Sequence, residues 1–124
     1  MSLLQPRVRV DQIGGSLWVI ELTGEHDLAT VPDLQAELAG VCGPGRAVIV
    51  DLSRATFIDS SILSELIQAQ LLADGAEDEG FAVVAPPDGF PARVVGMASM
   101  GARLAVYADR ARAASATGAL DATG

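Results

Sequence analysis

The sequence predicts an α/β fold built on a mixed, mostly parallel sheet of about five strands. Three observations carry this expectation. Strand-like and helix-like segments alternate along the chain in the order ββ-αβ-αβ-αβ-α. Two short runs, Ala47-Val48-Ile49-Val50 and Phe81-Ala82-Val83-Val84, are continuously apolar, as parallel strands covered on both faces are. The first two strand-like segments are separated by a short gap holding Gly14-Gly15, which marks a hairpin. A chain of 124 residues fits one domain, with room for a core that needs no disulfide or metal staple. That domain takes in residues 1–124, with a core from about 7 to 116 and frayed ends.

Taken in order, Arg7 to Asp11 alternates polar and apolar residues, with Val8 and Val10 on one side, and reads as a half-exposed edge strand. Ser16 to Thr23 is the next strand, with Leu17 and Val19 facing one way and Trp18, Ile20 and Leu22 the other. Gly24-Glu25-His26-Asp27 breaks the pattern. Asp27 is placed to cap a helix carrying Leu28, Val31, Leu34 and Leu38 on one stripe. Pro32 falls in its first turn, where a missing N–H matters least. Gly40 to Gly45 ends that helix, and Gly43-Pro44-Gly45 is a turn before a strand, not a phosphate cradle.

Ala47 to Val50 is the central strand. Asp51 is expected to close it, and Leu52 to Ile58 to form a loop. Asp59-Ser60-Ser61 then opens a second helix, with Ile62, Leu63, Leu66, Ile67 and Leu71 facing inward. After the acidic turn from Asp74 to Gly80, the strand Phe81 to Val84 is stopped by Pro86-Pro87. Pro91 to Ser99 reads as a short third helix with Val94, Val95 and Met97, ended by Gly101. Leu104 to Tyr107 is the last strand, and Asp109 caps an alanine-rich helix that frays before Gly124.

Charge excludes several classes of partner. The formal net charge is -8 and the pI about 4.3. Such a surface repels nucleic-acid phosphates and anionic lipid headgroups, so neither direct nucleic-acid binding nor direct membrane binding is expected. All eight basic residues are arginines. A Walker-type phosphate loop, a Schiff-base enzyme and a receiver domain each need a lysine, so all three are disfavoured. The lone Cys42 cannot form an internal disulfide, and no basic-then-apolar segment marks the N-terminus as a signal peptide. The expected setting is a reducing bacterial cytoplasm.

In open α/β sheets, sites gather where strands end and the following helices begin. Gly24 to Asp27, Asp51 to Ser61 and Ala85 to Gly89 meet that description. Ser60 and Ser61 fall in the first turn of a helix, where free N–H groups and the positive dipole end would partly accommodate a phosphate. Read locally, the turn is either a helix cap, the commoner case, or a phosphorylation site. The remaining candidates are structural. Asp51 reads as a strand terminator, His26 as a solvated or locally bonded histidine, Cys42 as a packed thiol and Glu77-Asp78-Glu79 as a charged loop tip. No base, nucleophile and orienting group can be assembled, so no enzyme and no cofactor are expected.

The stretch from Val48-Ile49-Val50-Asp51-Leu52-Ser53 through Phe57-Ile58-Asp59-Ser60-Ser61-Ile62-Leu63 resembles the signature of the STAS domain, found in bacterial anti-anti-sigma factors and at the end of sulphate transporters. Leu22-Thr23-Gly24-Glu25-His26-Asp27 is similar to a second motif of that family, and Met97 to Val106 to its C-terminal helix-turn-strand. The resemblance spans roughly Val8 to Ala116. It implies an anti-sigma factor antagonist. Such a protein binds an anti-sigma factor that is also a serine kinase, is released when the serine after the signature aspartate is phosphorylated, and is reset by a phosphatase. Here that serine is Ser60. Ser61 matches the neighbouring Ser/Thr position, and Asp27 the aspartate near the phosphosite. With Asp59 and Ile62 these form the implied partner-binding set. Ile62 stands where the family usually has glycine, and is expected to add an apolar side chain near the contact zone. The alternative is a STAS scaffold or transporter-associated subunit that is never phosphorylated. Neither reading excludes a weak homodimer.

Overall fold

The computed structural model describes residues 5–98 and 104–117. The hairpin forms as expected. Strand β1 (Arg7–Ile13) pairs antiparallel with β2 (Leu17–His26), and Gly14 takes a φ of 82° in the turn between them. A single 3₁₀ turn (Leu28–Thr30) leads into α1 (Val31–Val41), whose second residue is Pro32. Then follow β3 (Ala47–Ile58), α2 (Ser60–Asp74), β4 (Gly80–Val84), α3 (Phe90–Ala98), β5 (Val106–Tyr107) and α4 (Arg110–Ala116).

The sheet order is β1-β2-β3-β4-β5, with β2 to β5 parallel. Right-handed crossovers between sequential parallel strands place every connecting helix on one face. The core agrees. Ile20, Leu22, Val48, Val50, Phe81 and Val83 pack with Leu34, Leu38, Ile62, Leu66 and Val95 from α1, α2 and α3. The alternate residues Leu17, Val19, Ala47, Ile49, Ala82 and Val84 face the other way, onto Ala113 and Ala114 of α4. Both faces of β3 and β4 are therefore covered, which is why those strands are apolar throughout.

Two strand ends differ from expectation. β2 continues through Gly24 to His26, and β3 continues past Asp51 to Ile58, so neither Gly24 nor Asp51 ends a strand. Pairing runs from Leu17↔Ala47 to His26↔Ile58 with shifts between Glu21 and Thr23 and between Gly24 and Glu25. Each shift places an extra residue in β3 and breaks the two-residue period that a local reading relies on. Gly24 sits at the second shift with a φ of 86°, a conformation that suits glycine.

Three burial expectations are also corrected. Leu28 is 72% exposed, because it lies in the 3₁₀ turn ahead of α1 and off its stripe. Leu71 is exposed and Ile67 half-buried, while Gln70 turns inward to accept the N–H of Ala105 and donate to Asp74. The last strand is only two residues long. Gly101 and the Met97 side chain lie outside the described residues.

Asp51 has a role that its sequence position concealed. It is buried on the α4 face and accepts the Arg110 Nε–H at 2.6 Å, while Arg110 also reaches Glu21 on β2 at 2.8 Å. Its other oxygen takes the Ser53 hydroxyl and N–H at the first register shift. One guanidinium thus ties α4 to two strands. Arg110→Met would strand a buried carboxylate without its cation. It should lower the urea midpoint with an unchanged slope, a loss of about 2–3 kcal/mol. Adding Asp51→Leu should recover much of it, whereas an undiminished midpoint in Arg110→Met would show that the pair does not hold α4.

Candidate partner-binding site

Because β2 and β3 stay paired out to His26↔Ile58, the residues that follow them, Asp27 and Asp59, leave the sheet side by side. Each caps what comes next. Asp27 accepts the Ala29 N–H at 2.9 Å, and Thr30 returns the favour by accepting the Asp27 N–H at 3.2 Å, a reciprocal capping box. Asp59 Oδ1 accepts the N–H of Ser61 at 3.0 Å and of Ile62 at 3.3 Å, together with the Ser61 hydroxyl. The Leu28 N–H of the neighbouring turn helps to lower the Asp59 carboxyl pKa, as the last of several causes.

These bonds separate the two serines. The Ser61 hydroxyl is committed to Asp59. Ser60 is exposed, and its hydroxyl makes no hydrogen bond among the described residues; only its backbone carbonyl is engaged, by Ser64. The expectation of free N–H groups ready for a phosphate is corrected here. Asp59 already takes the two N–H groups that follow Ser60, so a phosphate at Ser60 would face a carboxylate instead of an empty helix end.

Ile62 faces inward as helical spacing placed it, which corrects the expectation drawn from the resemblance that it would add to the contact zone. It is fully buried between α2 and the sheet, so its side chain adds nothing to the surface, and it leaves the partner-contact set. Exposed apolar side chains come instead from Leu28, at 72%, in the turn adjoining that of Asp59, and from Phe57 and Phe90, stacked with ring centroids 5.5 Å apart. No local pattern marks that stack, since its rings come from β3 and α3. Leu28 was legible only as a stripe residue.

His26 is fully buried, with both ring nitrogens bonded locally, so it is not solvated. Among the described residues no group of three or more His, Cys, Asp or Glu side chains could hold a metal ion. A groove of about 530 Å³ runs between α1 and α2 at the opposite end of the sheet from Ser60, over Val48 and Phe81. Cys42 lines it, and burial, then the Glu79 charge, push its thiol pKa up, which leaves it a neutral packing group.

The chain belongs to the STAS domain family: the family model described as "Mlab, STAS domain" matches residues 10–106. The search of curated proteins found no match. Among solved structures, the chain is similar to an anti-sigma factor antagonist from Mycobacterium paratuberculosis, at 24% identity over 91% of this chain and 94% of that one, with a TM-score of 0.73. It is also similar to the anti-sigma factor antagonist SpoIIAA in its unphosphorylated form, at 15% identity over 90% of this chain and 97% of that one, with a TM-score of 0.67. These likenesses establish a shared SpoIIAA-like fold.

The Asp59 carboxyl is held below the ordinary carboxylate range, first by the Ser61 hydroxyl and then by the N–H groups of Ile62, Ser61 and Leu28, against an opposing effect of burial. A carboxyl lowered by folding stabilises the fold above its unfolded-state range, and that stabilisation fades as pH falls through the folded value. Asp59→Ala should therefore cost about 1 kcal/mol at neutral pH. The gap from wild type should shrink on acidification below the carboxylate range, as followed by thermal unfolding across pH; a constant gap would contradict the cap. Restoring the family glycine, Ile62→Gly, should cost about 3–5 kcal/mol through a core cavity and added chain entropy, without baring new surface at Ser60.

Proposed function

We propose that the protein is an anti-sigma factor antagonist. It binds an anti-sigma factor that is also a serine kinase while Ser60 is unmodified, and leaves it when Ser60 is phosphorylated. A phosphatase resets the cycle, in the cytoplasm, with no bound cofactor. One observation carries this reading: Ser60 is exposed at a helix start with a hydroxyl that makes no hydrogen bond among the described residues, on a chain that also exposes Leu28 in the adjoining turn and a Phe57–Phe90 stack. Apolar surface of that kind suits a protein partner. A phosphate would add roughly two negative charges there. With Asp59 already filling the nearby N–H groups, that charge stays at the contact surface instead of being absorbed by the helix end. Membership of the STAS family and the shared fold of two antagonists support the same reading.

A second reading, a constitutive scaffold or transporter-associated subunit, is favoured by two observations. The matching family model is the one described for Mlab, and the Ser60 turn is not a ready phosphate cradle. Incubation with ATP and the cognate kinase, followed by intact mass, separates the two. The switch predicts one added phosphate on wild type and none on Ser60→Ala, with Ser60→Asp binding the kinase more weakly by calorimetry. No label on wild type, together with a pull-down that recovers transport subunits, would establish the scaffold.

A further inference from the structure

The chain's only histidine ends the strand one residue before the cap Asp27. His26 ends β2, is fully buried, and is held at both nitrogens. Its Nε2 is 3.0 Å from the Thr23 carbonyl oxygen. That oxygen only accepts, so Nε2 carries a hydrogen and donates it. In the neutral ring Nδ1 is then the acceptor, and its partner, 3.1 Å away, is the Thr30 hydroxyl. Thr30 Oγ1 in turn accepts the Asp27 N–H at 3.2 Å, and the Asp27 carbonyl oxygen, 3.1 Å away, is a second acceptor for its single hydroxyl hydrogen, shared with Nδ1. Thr30 is therefore the point where the buried ring meets the capping box. That box starts beside Asp59, because His26 pairs with Ile58 at the ends of β2 and β3, and its Leu28 N–H contributes to lowering the Asp59 carboxyl pKa; Asp59 organises the turn from which Ser60 projects.

We propose that His26 is the positioning residue of the Ser60 turn, acting through the Thr30 hydroxyl to hold the Asp27–Thr30 turn against Asp59. Nothing in the motif around Asp59-Ser60-Ser61 supplies this contact. Without it, the Leu28 N–H would rest on a short 3₁₀ turn whose neighbours Leu28 and Ala29 are exposed. The hydrogen-bonded chain from ring to cap is contiguous, with the Thr30 hydroxyl as its branch point. The consequence for phosphorylation rests on the switch reading of Ser60. The coupling itself does not, because it can be read in the isolated protein.

The test uses variants that cut one link each. Thr30→Val keeps the size and removes the hydroxyl. His26→Gln keeps a donor near the Nε2 position and loses the Thr30 contact, whereas His26→Asn keeps a polar atom near the Nδ1 position and should preserve it. In Thr30→Val and His26→Gln, Leu28 amide hydrogen exchange should quicken about tenfold while the Ile20 and Val50 amides stay protected. The Asp59 carboxyl, followed by carbon NMR, should titrate higher in both. His26→Asn should restore both readouts towards wild type, and combining His26→Gln with Thr30→Val should add little beyond either alone. Unchanged Leu28 exchange and Asp59 titration in folded Thr30→Val would overturn the proposal. So would a uniform loss of protection across Leu28, Ile20 and Val50 in the variants, which marks a merely structural role. Ser60 phosphorylation by the kinase is measured alongside: loss of labelling on wild type would reject the switch, while the exchange and titration readouts still decide the role of His26.

Discussion

The parallel pairing of β2 with β3 is the constraint on which the site depends. It runs from Leu17↔Ala47 to His26↔Ile58 and absorbs two register shifts on the way. Backbone groups in mid-sheet must be paired, so the strands stay together for as long as their ladder continues. Because it continues to the last residue of each, two loops that are far apart in sequence start from adjacent points. Asp27 and Asp59 then cap neighbouring turns, and the Leu28 N–H of the first helps to lower the Asp59 carboxyl pKa at the second. Had β3 ended at Asp51, Phe57 and Asp59 would belong to an unanchored loop, and Ser60 would have no defined surface around it.

Electrostatics divides the labour between the two faces of the sheet. On the α4 face, Arg110 neutralises Asp51 and pairs with Glu21, which makes a buried carboxylate tolerable at the first register shift. At the carboxyl ends of the strands, Asp59 spends its acceptor capacity on the N-terminus of α2. The result is an asymmetry between adjacent serines: one hydroxyl bonded to Asp59, the other exposed and without a hydrogen bond among the described residues. On the proposed switch, a modification at the Ser60 hydroxyl would meet the Asp59 carboxylate that already holds the helix N-terminus, and would act on binding more than on the fold.

Much of this was legible in the sequence, and the exceptions share a cause. The buried strands Ala47 to Val50 and Phe81 to Val84, the hairpin at Gly14-Gly15 and the caps Asp27, Asp59 and Asp109 all express themselves within a few residues, and all are present. The extensions of β2 and β3 were not legible, because the register shifts scramble the local alternation and only the partner strand reveals them. Ile62 was legible as an inward residue from helical spacing, and only its place in the family turn suggested a surface side chain. As the third residue of α2 it belongs by position to the surface turn, yet the helix directs it onto the sheet. The Phe57–Phe90 stack and the Arg110–Asp51 pair depend on contacts between distant segments, which no window of neighbouring residues contains.

The central claim is that charge on the Ser60 hydroxyl governs partner binding while the fold stays intact. It is tested most directly with protein carrying phosphoserine at position 60, titrated by calorimetry into the anti-sigma factor beside the unmodified chain. The account predicts a drop in affinity of about tenfold or more, since like charge and desolvation oppose the contact, with the same unfolding midpoint within about 1 kcal/mol. Equal affinity for the two forms would contradict it.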